Sequence, residues 1–359
     1  MRQTASIAER LDRLPVTPLH LTAVALCAIG LLLDVAELSV NGALSAVKAG
    51  QGELAWLLAS VFIGGAIGAP LLGWLADRYG RRTALQFSLF VLALPSLGAA
   101  LATETGWIIF FRMLSGMALG AYPPLMTAYL ADVLPPKRRA TLILFGDGFG
   151  LLGGPAVIFF IWWLTPMIPL GIEGWRWALI LGGVFSGLIA LSFLLVPESP
   201  RWQAARGRMA EANAGCRKFE ASAGMVTVGE SAAAPAVANP ELVERMGRYW
   251  PNLILVTAIY LMRPWPTVAF PTLLGAMLVA RGWNISSSLV AVGIAGFGAA
   301  AGAMLVSFVV DKVERRTALT VVTVLMLIAG AAFGATEDTM VIYVSGTIFN
   351  LLAPAMGQC

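Results

Sequence analysis

Several ionisable residues stand inside long apolar stretches, where a charged side chain costs ~2.5–3.5 kcal/mol on insertion scales and therefore needs a partner or a task. Asp34 and Glu37 lie within residues 19 to 44, Arg112 within 107 to 131 and Arg263 within 252 to 279. If these stretches are helical, Asp34 and Glu37, at i and i+3, share one helix face. They then lie roughly 22 and 27 Å along a helix starting at Leu19. Arg112 stands about five residues into a stretch of opposite direction, so it reaches a similar depth and can neutralise one of the acids. Such a constellation can bind and release a proton, the guanidinium holding the ionised carboxylate. Either acid could take the proton; a static pair that only fixes helix packing is the competing reading. Arg263 lies roughly 17 to 18 Å into its own stretch, in the run Arg263-Pro264-Trp265-Pro266. Two prolines free backbone carbonyls and break a helix, an irregularity that membrane proteins tolerate where it lines a cavity. A guanidinium there suits a carboxylate ligand, or else pairs with Asp34 or Glu37. Tyr122, Tyr260, Trp265 and Phe270 could stack against a ring, with ordinary packing as the alternative.

The elements that must position these groups follow from composition. Hydrophobic residues are 58% of the chain and charged residues 12%, too few to cover a soluble surface. Apolar stretches long enough to span a bilayer recur at 19 to 44, 54 to 76, 83 to 103, 107 to 131, 141 to 165, 177 to 196, 252 to 279, 287 to 310 and 317 to 335, with a tenth from Met340. The first is not a cleaved signal, because it is long, carries acids and leads into further spans. With the N-terminus cytoplasmic, 19 of the 24 basic residues fall on the inside, so the net charge of +4 is a topology signal, not a nucleic-acid footprint. Trp56, Trp107, Trp175, Trp177, Trp250 and Trp283 fall at expected interfaces. His20, the only histidine, is expected at the membrane edge. Cys27, Cys216 and Cys359 form neither a disulfide framework nor a metal cluster.

A repeat organises the spans. Gly73-Trp-Leu-Ala-Asp77-Arg78-Tyr-Gly80-Arg81-Arg82-Thr-Ala-Leu85 recurs as Ser307-Phe-Val-Val-Asp311-Lys312-Val-Glu314-Arg315-Arg316-Thr-Ala-Leu319, at an offset of 234. The expected architecture is all-α: two pseudo-symmetric six-helix bundles, the second incomplete, with about 10 transmembrane helices present. The expected units are residues 1–196, a cytoplasmic loop 197–250 and 251–359. The loop should hold one charged helix over 203 to 219, then an Ala/Gly/Pro-rich linker over 221 to 240. The offset carries residues 107 to 139 past the last residue, so a C-terminally truncated chain is expected.

The first copy of the loop resembles the G-x-L-a-D-r-x-G-r-R signature of the major facilitator superfamily. Arg112-x3-Gly116-x3-Gly120, the run from Tyr129 through Asp132 and Pro135 to Arg139, and Pro197-Glu198-Ser199-Pro200-Arg201-Trp202 are similar to its sugar-porter branch. Departures are Ala118, Asp132 and Ala140 in span 4, and Ser307 and Glu314 in the second loop. The Asp34-x-x-Glu37 spacing resembles an element of the aromatic-acid/proton symporters. The resemblance implies a secondary transporter that moves a sugar or a small organic acid with a proton by rocking of the two halves. Glu37, which falls about where sugar porters carry an acid in span 1, or second Asp34, would couple the proton with Arg112. A cytoplasmic gate would pair Asp77, Asp132, Glu198 and Asp311 with Arg78, Arg81, Arg139, Arg201 and Arg315, within loops that also hold Gly73, Gly80, Arg82 and Arg316. A facilitative uniporter, an efflux carrier and a non-transporting receptor or inactive fragment are the alternatives. No enzyme motif and no cofactor site is readable. The expected partners are a small solute, a proton and the lipid of a bacterial inner membrane, with the protein acting as a monomer. Asp147, early in span 5, would join the cytoplasmic charges, and the glycines at 148, 150, 153 and 154 serve close helix packing.

This topology places Arg82 and Arg316 on the same side of the bilayer. Cysteines at either position are expected to react with a membrane-impermeant maleimide from that one side only; opposite sidedness would sink the repeat.

Overall fold

Apolar runs that must satisfy every backbone group without water form helices. A computed structural model shows this outcome for residues 6–47, 52–224, 268–309, 315–336 and 338–353, with positions 250, 254, 257, 258 and 262; these are the residues described. All elements among them are helical. They are α1 Ile7–Asp12, α2 Pro18–Val47, α3 Leu54–Tyr79, α4 Arg81–Leu101, α5 Thr105–Leu119, α6 Tyr122–Val133, α7 Pro136–Leu151, α8 Gly153–Leu164 and α9 Gly174–Ser192. There follow α10 Pro200–Ala205, α11 Met209–Ser222, α12 Phe270–Ala280, α13 Ile285–Val309, α14 Arg315–Ala335 and α15 Thr339–Leu352. Seven runs are long and apolar enough to cross a membrane, and three shorter apolar helices belong to the second half. Ile67, Leu71, Phe87 and Leu94 point outward, as a lipid-facing surface requires.

Two expected spans are broken, each by a proline four residues on. A proline has no N–H for the carbonyl one turn back. Pro123 thus leaves Leu119 without its helical partner, and α5 ends at Leu119; Pro155 does the same to Leu151, where α7 ends. The span expected over 107 to 131 is therefore α5 plus α6, and that over 141 to 165 is α7 plus α8.

Glycines set the tightest seam. A side chain on Gly64 or Gly68 of α3 would strike the Met113 or Met117 carbonyl of α5, and one on Gly116 or Gly120 would strike the carbonyls of Val61 or Gly65. Small residues at four-residue spacing on both helices let the backbones touch. The second half packs on the first through α2 and α8. The Ala276 N–H donates to Ser45 Oγ at 3.2 Å, Trp162 Nε1 donates to Ser286 Oγ at 2.8 Å, and α12 approaches α2 closely where Gly275 meets Gly42.

Several expectations are corrected. The single helix expected over 203 to 219 is two, α10 and α11, because Gly207 turns the chain at φ +74°. The short helix α1, not anticipated, begins with a capping box in which Ser6 and Glu9 satisfy each other's backbone N–H. His20, expected at the membrane edge, is wholly buried in the protein: Nδ1 meets Thr17 Oγ1 at 2.8 Å, Nε2 meets the Val133 carbonyl at 3.1 Å, and its ring stacks on Phe219 at 4.6 Å because α11 covers the start of α2. Trp175 is buried too, its Nε1 donating to Glu173. Cys27 and Cys216 are buried free thiols, and burial pushes Cys216 up to about 11. The expected linker and the boundary near 250 lie largely outside the described residues.

The α3–α5 seam makes an ordering testable by thermal unfolding. Gly68→Val should destabilise the protein by at least ~1–3 kcal/mol through overpacking. Gly73→Ala, at a position where an added Cβ meets nothing within 4 Å, should be nearly neutral.

Candidate functional site

α2 and α5 bring the membrane-depth charges together. Glu37 and Asn41, one turn apart on α2, face Arg112 and Ser115 on α5, and all four are buried. Arg112 Nη1 donates to Glu37 Oε1 at 2.5 Å; Nη2 donates to Asn41 Oδ1 at 2.5 Å and more weakly to the Glu37 carbonyl at 3.4 Å. Ser115 Oγ donates to the same Glu37 oxygen at 3.2 Å and to the Arg112 carbonyl at 3.1 Å. A buried pair repays its desolvation only when such further hydrogen bonds hold its geometry. Asp34 is buried one turn earlier, with no ion pair among the described residues. Asn41 and Ser115 were missed in the sequence; their signal was spacing, four residues after Glu37 and three after Arg112, on the faces already carrying charge.

The aromatic candidates sit elsewhere. Tyr122 does not stack in a cavity here: it is fully buried at the start of α6, its hydroxyl donating to the Cys27 carbonyl at 3.2 Å and its ring filling the space beside Gly30. Phe270 is half-buried and packs on Phe333 and Phe349, with centroids 5.1 and 4.4 Å away. Tyr260, Arg263 and Trp265 lie outside the described residues.

At the end of the bundle that carries the basic loops, the expected ion pairs are largely rearranged. Asp77 does pair with Arg81, at 2.5 Å, but Arg78 lies over the rings of Trp74 and Tyr79. Among the described residues, Glu198 pairs with no arginine side chain. Its carboxylate caps α4, accepting from the N–H groups of Arg82 at 2.8 Å and Thr83 at 3.2 Å, and from Ser199 N–H and Thr83 Oγ1. The helix N-terminus has unsatisfied donors and a positive end for it to meet. Gly80 makes room: it turns at φ +114°, and a Cβ there would collide with Glu198. Arg82 Nη1 donates to the Val196 carbonyl.

Asp132 accepts from Ser199 Oγ at 2.7 Å, while its carbonyl accepts from Arg201 Nε at 2.8 Å. The carboxylate that meets Arg201 at 2.5 Å and Arg139 at 3.6 Å is Asp12 of α1, not anticipated from the sequence. Arg139 also donates to the Leu134 carbonyl. Arg10 of α1 is joined to Glu220 of α11 in a buried pair at 2.8 Å. Gly73 has open space around it. Asp311 lies outside the described residues, as do the side chains of Arg315 and Arg316 at the start of α14.

The cap orders a mutant series. Glu198→Ala should cost about 1–2 kcal/mol, and Glu198→Gln, which keeps an acceptor but loses the charge, about 0.3–1 kcal/mol, both read by thermal unfolding of the purified protein. Equal stability of all three chains would refute the capping role.

Comparison with known proteins supplies the family. The family profile described as Major Facilitator Superfamily matches residues 7–359. YyaJ of Bacillus subtilis, named for an inferred role in metabolite transport, is 30% identical over 97% of this chain and 79% of its own. The niacin transporter NiaP of Acinetobacter baylyi is 24% identical over 96% of this chain and 80% of its own. Among solved structures, the xylose transporter XylE of E. coli, in a partially occluded inward-open conformation, superposes with a TM-score of 0.73 at 20% identity, covering 94% of this chain and 84% of that one, a likeness of fold. With its apolar helices, its first bundle and the described helices of a second, this multi-pass membrane protein belongs to the Major Facilitator Superfamily of transporters.

Proposed function

We propose that this transporter moves a sugar or a small organic acid together with a proton, driven by the proton gradient, with its basic loops and N-terminus on the cytoplasmic side of a bacterial inner membrane. The observation that carries this reading is the buried Glu37–Arg112 pair beside a second acid, Asp34. Carboxylates and a guanidinium at membrane depth cost several kcal/mol, so they are rare there and mark ion or proton pathways. The names of relatives support this substrate class: niacin is a carboxylic acid, and an arabinose-proton symporter of Bacillus subtilis is 32% identical over 44% of this chain.

In this mechanism the two halves rock about the seam of α2 and α8 with α12 and α13, and the charges lie within the first half, between α2 and α5. When the halves part on one side, water reaches the acids and protonates one; when they part on the other, the proton leaves. The α1, α10 and α11 contacts brace the first half at its basic end.

Uptake of labelled nicotinate, L-arabinose and D-xylose into proteoliposomes tests this. One of them should accumulate about tenfold per unit of inside-alkaline pH gradient, the value for one proton per solute, and Glu37→Gln should reduce that accumulation to equilibration. Uptake indifferent to the gradient in both proteins would make this a facilitator.

A further inference from the structure

The basic end of the first half holds a cavity that the charges at membrane depth do not use. It lies between the turn from α3 to α4 and the helices α10 and α11, and encloses about 340 Å³. That is room for a small polar molecule. Arg82, Arg208 and Lys218 line it together with Glu198 and Glu211, so three cations face two carboxylates.

The commitments of these groups decide what the cavity can take. Glu198 is spent on the start of α4, accepting from the N–H groups of Arg82, Thr83 and Ser199. Glu211 is spent on Arg208, which donates to it from Nε at 2.8 Å and from Nη2 at 2.7 Å, and on Gln203 Nε2 at 3.3 Å. Both acids are therefore satisfied, and so is one of the three cations. Arg82 gives Nη1 to the Val196 carbonyl, but its Nε is buried without an acceptor. Lys218 is exposed and has no hydrogen bond or ion pair among the described residues. The excess charge is positive and its donors are open, which calls for an anion. A phosphate group, with several acceptor oxygens, can meet a guanidinium and an ammonium at once. Gln203 adds a second requirement: it is 8% exposed, lines the cavity, and keeps Oε1 as a buried acceptor with no donor. A hydroxyl beside the phosphate supplies that donor after a small turn of the amide.

We propose that this cavity binds a hydroxyl-bearing phosphate ester, its phosphate held by Arg82 and Lys218 and a hydroxyl turned to Gln203. Two sources offer that chemistry: a soluble ester such as glycerol 3-phosphate, and the glycerol-phosphate headgroup of an anionic lipid. The second has a feature of its own. Tyr79 lines the cavity and is exposed beside the exposed Trp74, with Arg78 over both rings, an aromatic and basic pair of the kind that meets headgroups. An occupant joins α11 to the α3–α4 turn, so binding stabilises the basic end. The site goes beyond the transport reading and does not depend on which solute is carried or on proton coupling.

Thermal unfolding of the purified full chain in a neutral detergent at constant ionic strength tests the site. Glycerol 3-phosphate and dioctanoyl phosphatidylglycerol are the separate probes, with chloride as the control anion. At least one probe should raise the midpoint saturably where chloride does not. Lys218→Gln should weaken its apparent affinity about tenfold or more, the loss of one charge-assisted hydrogen bond. Lys218→Arg, which keeps the charge, should retain binding, as should Lys137→Gln, which removes an exposed charge at the start of α7. Stabilisation by glycerol 3-phosphate assigns a soluble ester, and stabilisation by the lipid alone assigns a headgroup. No stabilisation by either probe, an effect that survives Lys218→Gln undiminished, or one that Lys137→Gln weakens equally overturns the proposal. None of these outcomes bears on the uptake assay, so failure here is distinct from failure of the transport reading.

Discussion

The contact on which the rest of the structure depends is the buried bridge from Arg112 to Glu37. A guanidinium with no solvent exposure is tolerable in a membrane protein only if its charge is met and its donors are filled. That requirement fixes α2 against α5 at one height and one rotation, since Asn41 and Ser115 must arrive with the ion pair. The incompleteness of the match is as informative as the match. One oxygen of Asp34 and one nitrogen each of Arg112 and Asn41 are left over. A purely structural lock would gain from filling them.

Around that bridge, the helices meet through absence of side chains. Glycines of α3 and α5 put backbone on backbone, and glycines of α12 and α13 do the same against α2 and α8. Contacts of this kind need no hydrophobic driving force, which is lacking between helices in lipid. The polar bonds across the seam between halves are few among the described residues, with Ser45 and Trp162 supplying two of them. The basic end is built oppositely. There carboxylates cap α4, bridge Arg201 of α10 and Arg139 of α7 to α1, and join α1 to α11 in a buried pair. The first half is thus held at its basic end by polar contacts, whereas the seam between the halves is largely apolar among the described residues.

Of the site, the pairing of an acid in span 1 with Arg112 was legible, because the cost of a charge in lipid and the opposite direction of successive helices leave few partners at that depth. The division of labour between Asp34 and Glu37 was not legible. Both are acids on one helix face, and which of them meets the guanidinium depends on the rotation of α2 against α5. The loop motifs were legible as motifs, yet their roles were misjudged where opposite charges alone guided the reading. Glu198 stands near several arginines in the chain, but in space its oxygens face the open N–H groups of α4, whose position depends on the turn at Gly80. Asp12 was overlooked for the complementary reason: its partners, Arg139 and Arg201, are more than a hundred residues away.

The sequence by itself determined the solvent, the all-α architecture and the approximate ends of most spans, because each follows from local hydrophobicity and from backbone groups that must bond within their own segment. It also determined where two spans break, although the prolines responsible were not weighed in advance. Only the tertiary structure decided which acid meets Arg112, which carboxylate caps and which one pairs, and that His20 and Tyr122 are packed away. Those outcomes depend on distances of a few ångströms between helices remote in the chain, and neither composition nor spacing carries such distances.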